Sequence, residues 1–98
     1  MSSPPDLLPD ALLVQRMAAL SDRAALLELD ARHGMTLYAL AYGRLFDGEA
    51  ADVAVAAALR EAWRSAASFD PNSGSVAEWL AYLTRRATHP RLEPAAAA

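Results

Sequence analysis

Cysteine is absent from the 98 residues, and so is lysine. Without a thiol there is no disulfide, no thiolate metal site and no thiol nucleophile. All nine basic residues are therefore arginine, whose planar fork suits contacts to phosphate or carboxylate. Glycine occupies four positions only, and the one Gly-Ser stretch, Asn72-Ser73-Gly74-Ser75, is too poor in glycine for a phosphate cradle and lacks its lysine. No apolar run approaches the roughly 18 residues that a membrane-spanning helix requires, so no membrane contact is expected. The opening MSSPPD has no positively charged segment of the secretory kind, and a cytoplasmic location is expected. Excess positive charge is missing too: nine arginines face twelve acids, for a net charge of −3, which argues against coating nucleic acid by charge alone.

What is abundant is alanine, 24 of 98 residues. Alanine buries little area, so the leucines with Trp63, Trp79, Phe46 and Phe69 are expected to carry the core. Residues 1–9 hold three of the six prolines and read as an irregular arm. Asp10 is a candidate cap for a first helix with Leu13, Met17 and Leu20 on its apolar side. Ser21 is the next cap candidate, opening a segment with Leu26, Leu29, Leu37, Leu40, Ala41 and Leu45 at helical spacing. Gly34 predicts a bend or a junction inside it, and Asp47-Gly48 its end, glycine being the residue that stops helices in the left-handed conformation.

A third helix is predicted from about Glu49 to Ser68, burying Ala51, Val55, Ala58, Ala62 and Ala66 with Leu59 and Trp63 flanking. Phe69 to Gly74 is a turn cluster, and Ser75 with Glu78 forms a capping box opening a fourth helix. That helix should bury Val76, Leu80, Leu83 and Ala87 and stop at Pro90, leaving residues 91–98 as a tail. No strand period or internal repeat is present. The expected fold is all-α, a compact bundle of about four helices over residues 10–90.

Catalytic chemistry finds no foothold. His33 and His89 fall on different helices without acidic neighbours at metal-ligand spacing, and Asp30, Glu61 and Glu78 make no evident acid–base pair. No enzyme activity, cofactor or metal site is expected. Charge asymmetry says more. Residues 1–59 carry four arginines and eight acids, whereas residues 60–92 carry five arginines and three acids. Trp79, Tyr82 and Arg86 lie three and four apart, on one stripe of the fourth helix. Aromatics interleaved with arginine stack on unpaired bases while pairing with phosphates. The other reading of these residues is a core tryptophan beside arginines that solvate a helix end.

The order of motifs from Leu13 to about Ala87 resembles region 2 of the extracytoplasmic-function class of bacterial sigma factors. The residues that carry this are Ser21-Asp22, then Leu37-Tyr38-Ala39-Leu40-Ala41, then Arg60-Glu61-Ala62-Trp63, then Phe69-Asp70-Pro71-Asn72-Ser73-Gly74-Ser75 followed by Trp79-Leu80. The resemblance implies a helical domain that docks on the clamp helices of core RNA polymerase and engages the promoter −10 element. It implies polymerase or partner contacts from Asp52, Val53, Ala56, Ala57, Arg60 and Arg64 on the third helix. It also implies that the turn residues Asp70, Asn72 and Ser73 receive a flipped base. Arg85 and Arg86 would then hold the backbone, with Trp79 either wedging or supporting the fold, and Tyr82 is a candidate DNA contact on the same stripe. The chain departs from the family where a Gln-Glu or Gln-Asp pair is usual: Ala56-Ala57 stands there. The end of the fourth helix, Arg86-Ala87-Thr88-His89-Pro90-Arg91, lacks the family's acidic residue, and these 98 residues hold no counterpart of the domain that reads the −35 element. The chain is thus expected to be a piece of a longer factor or a one-domain relative. The alternative is a sigma-like interaction module whose third helix binds an anti-sigma factor or a second copy.

Overall fold

Asp22, not Ser21, opens the long second helix. In the computed structural model, which describes residues 8–89, the Asp22 carboxylate accepts from the amides of Ala24 at 3.0 Å and Ala25 at 3.3 Å. Its other oxygen takes Nε of Arg16 at 2.8 Å, which joins the first helix to the second. Ser21 instead ends α1 (Asp10–Leu20): its φ is 51°, and its amide donates to the Met17 carbonyl. Asp10 is not a cap either. Pro9 precedes the helix, and its carbonyl accepts from Leu12 and Leu13. The Asp10 carboxylate reaches across to α2, meeting Nη1 of Arg32 at 3.0 Å and Nε2 of His33 at 2.8 Å. His33 is therefore a satisfied structural histidine. Leu20, expected inside, is exposed at the helix end, and Val14 fills the core beside Leu13 and Met17.

The second helix, α2 (Arg23–Leu45), runs unbroken through Gly34. Packing of Leu29, Leu37 and Ala41 on either side outweighs the roughly 1 kcal/mol that one glycine costs. The helix stops without glycine: Phe46 takes the left-handed conformation at φ 54° and donates its amide to Tyr42. This leaves the Phe46 ring 78% exposed, contrary to its expected place in the core. Asp47 then caps α3 (Gly48–Ser65) by accepting from Ala50, so Gly48 begins a helix instead of ending one. A Cβ at position 48 would lie 2.9 Å from the Tyr38 hydroxyl, so a side chain there would have to displace the end of that tyrosine. Gly43 is different. Nothing lies within 4 Å of a Cβ built on it. Gly43→Ala is accordingly expected to stabilise the protein by about 0.5–1 kcal/mol, read as a raised urea midpoint at unchanged slope.

The core is built around α3. Its buried face is Ala51, Ala54, Val55, Ala58 and Ala62, and these small side chains let α2 and α4 pack closely against its two sides. After Ser65 the chain tightens into a 3-10 turn, Ala66–Ser68, against which α1 packs. Seven of the sixteen buried apolar residues are alanines, so five leucines (Leu13, Leu29, Leu37, Leu80 and Leu83) with Met17 and the three valines supply most of the buried bulk. Trp63, Phe69 and Trp79 are only half-buried against that core.

The capping box forms as the sequence predicts. The Glu78 amide donates to Ser75 Oγ at 3.0 Å, and the Ser75 amide donates to Glu78 Oε1 at 2.9 Å. Helix α4 (Val76–Ala87) buries Val76, Leu80 and Leu83, but Ala87 is exposed and Thr84 and Thr88 are buried instead. Both threonines are satisfied. Thr84 Oγ1 donates to the Leu80 carbonyl, while Thr88 Oγ1 donates to the Arg85 carbonyl and accepts from Nε of Arg44 at 2.7 Å. The Pro90 stop, the tail and most of the arm lie outside the described residues. Among the described residues there is no strand.

Candidate nucleic-acid interface

Between α3 and α4 the chain makes a turn held by its own short hydrogen bonds. Asp70 accepts from the Asn72 amide at 2.9 Å, Pro71–Ser73 forms a second 3-10 turn, and Ser73 Oγ donates to the Asp70 carbonyl at 3.0 Å. Gly74 follows at φ 153°, a conformation essentially closed to residues with a side chain. That geometry swings the chain into the Ser75–Glu78 box and leaves an open hollow of about 310 Å³ beside the start of α4. Its volume is at the lower end for small-molecule pockets, about 300–1,000 Å³, and suits one planar group.

The walls of this hollow are aromatic. Phe69 and Trp79 pack with ring centroids 4.9 Å apart and planes at 41°. Trp79 thus supports the fold with one side of its ring while lining the hollow. Tyr82, one turn further along α4, is 50% exposed, and the Arg86 guanidinium sits 5.7 Å from its ring centroid. Asp70, Ser73, Ser75 and Glu78 add polar groups to its lining. Of the seven residues expected to contact DNA, Asp70, Ser73, Trp79 and Tyr82 meet here. Arg86 stands over the rim through Tyr82, and Arg85 is exposed beside it on the last turn. Asn72 is exposed on the turn but does not line the hollow. Phe69, Ser75 and Glu78 were legible in sequence only as turn and cap residues; nothing in their spacing marks them as walls.

The expected partner residues on α3 do not form one patch. Asp52, Ala56 and Arg60 follow one another at four-residue intervals along a groove between α2 and α3. Ala56 and Leu59 line it throughout. Arg23, Arg60, Trp63 and Arg64 stand at one end and Asp30, Met35, Tyr38 and Asp52 at the other. The Arg23 guanidinium lies 5.6 Å from the Trp63 ring. Arg64 is tied to Glu61 at 2.6 Å, and that bond, with the Arg86 charge adding to it, holds the Glu61 carboxyl below its ordinary range. Val53 opens onto a different hollow, next to Leu45 and Thr88, and Ala57 is half-buried.

The family model for sigma-70 region 2 matches residues 29–93, which takes in the hollow and all of the groove's lining except Arg23 and Leu26. The chain belongs to that family. No curated protein and no solved structure matches it. Sigma-70 region 2 is a non-enzymatic domain of transcription initiation that engages RNA polymerase core and promoter DNA. In this region 2 domain the match begins at Leu29, inside α2, so α1 lies before it. No described helix is long and apolar enough to cross a membrane, and the described residues contain no group of three or more metal-ligating side chains.

Proposed function

We propose that this chain is a region 2 domain of the extracytoplasmic-function type that holds one unpaired base of the −10 non-template strand in the hollow beside α4. The observation that carries this is the meeting of Trp79 and Tyr82 with the hydrogen-bonded Asp70–Gly74 turn around a space for a single planar group. Extruding a base costs a few kcal/mol of stacking and pairing, which stacking on these rings and contacts to its edge offset. Arg85 and Arg86, on the last turn of α4 beyond Tyr82, then neutralise flanking phosphates.

The test is fluorescence anisotropy with a single-stranded −10 oligonucleotide over a salt series. Replacing Arg85 and Arg86 by alanine should weaken binding and flatten the salt slope by about 0.7 for each phosphate contact removed. An unchanged slope rejects the two arginines as phosphate ligands. Binding to core polymerase is expected to be weak, because Ala56 and Ala57 offer the clamp no polar side chain. Nanomolar capture by core polymerase alone would overturn that part of the reading. The alternative, an interaction module without initiation activity, draws on the same apolar α3 face.

A further inference from the structure

We infer that α3 pairs with α3 of a second copy, antiparallel, across a two-fold axis passing beside Ala56. Asp52 and Arg60 are both exposed, lie on the same ridge, and stand four residues either side of Ala56. At 1.5 Å per residue each is about 6 Å from that alanine along the helix axis. A two-fold axis there sets Asp52 of each copy against Arg60 of the other. Ala56 at the crossing point, with no side chain beyond Cβ, permits the close end of helix–helix spacing, about 8 Å.

The rest of the groove repeats the pattern. Its acidic end has Asp30 with Asp52, and its basic end has Arg23 and Arg64 with Arg60. Neither Asp30, Asp52 nor Arg60 has an ion-pair partner among the described residues. A groove acidic at one end and basic at the other is complementary to itself only when the two copies run in opposite directions. A parallel pair would set Asp52 on Asp52 and Arg60 on Arg60, like charge on like. Met35, 87% exposed at the acidic end, adds apolar surface for the second copy to cover. The dimer would occupy the face on which the family resemblance places polymerase, so self-association and polymerase docking exclude one another. None of this depends on the base-binding hollow.

Sedimentation equilibrium of the full chain, from about 1 μM to about 1 mM, tests the pairing. The expected result is a reversible dimer that weakens as salt is raised. Asp52→Arg and Arg60→Asp should each lower the association constant at least tenfold, and the double variant Asp52→Arg/Arg60→Asp should restore it. Helicity by circular dichroism checks that each variant folds, and Tyr82→Ala should sediment as the parent does. A monomer throughout that range overturns the inference. So does a dimer indifferent to both single reversals, or a folded double variant that stays monomeric.

Discussion

Tyr82→Ala is expected to lower affinity for the single-stranded −10 oligonucleotide by about 5- to 150-fold. That range is the roughly 1–3 kcal/mol that stacking one base on an aromatic ring contributes, at 1.4 kcal/mol per tenfold. Tyr82 is a better probe than Trp79. Half of Tyr82 already faces solvent, and its described ring neighbour is the Arg86 guanidinium, so truncation leaves the core intact. Trp79 also packs on Phe69, and its loss would mix weaker binding with weaker folding. Tyr82→Phe keeps the stacking face and should retain most of the affinity. Anisotropy titrations of the three proteins decide the matter: equal affinity for Tyr82→Ala and the parent would show that no base rests on this ring.

Leu80→Ala should cost the fold about 3 kcal/mol, within the 2–5 kcal/mol typical of large-to-small changes in a core. Leu80 has no exposed surface, sits at the middle of α4, and is one of few large side chains in a core that is nearly half alanine by number. An alanine-rich interior has little side-chain volume that can move into the space left behind. Small domains hold roughly 0.05–0.15 kcal/mol per residue, so this loss is a large share of the total. Thr84→Val, one turn along, is the control. Its hydroxyl donates to the Leu80 carbonyl, which as a helix carbonyl also accepts from the backbone four residues on, so replacing that hydroxyl by a methyl should change stability by less than about 1 kcal/mol. Urea unfolding followed by circular dichroism measures both, and a cost below about 1 kcal/mol for Leu80→Ala would contradict the packing of α4 on α3.

The helical register was legible because alanine and leucine recur every three or four residues, and the α3 stripe Ala51, Val55, Ala58, Ala62 and Ala66 is buried as the spacing predicts. The Ser75–Glu78 box was legible for a similar reason: it is a local motif whose partners are fixed by chain geometry. Helix ends were less so. Asp10, Ser21 and Gly48 all carry cap chemistry, yet their roles depend on tertiary neighbours: Arg32 and His33 take Asp10, and the Tyr38 hydroxyl crowds position 48. The left-handed Phe46 runs against residue preference, and no single-residue propensity would place it there. For the hollow, sequence supplied Asp70, Ser73, Trp79 and Tyr82, whose type and order are distinctive. It missed Phe69 as a wall because an aromatic next to a turn is ordinary core material until its partner ring is located. The bipolar groove was illegible because its two ends draw on α2 as well as α3, and sequence distance hides that convergence.

The hollow beside α4 and the groove between α2 and α3 have no lining residue in common. Evolution can therefore edit either one without touching the other. A lineage that exchanged polar side chains for alanine along α3 would change that groove while the hollow beside α4 stayed whole. Random mutagenesis should sort its missense alleles into two complementation classes, one clustered near Gly74 and the other near Ala56.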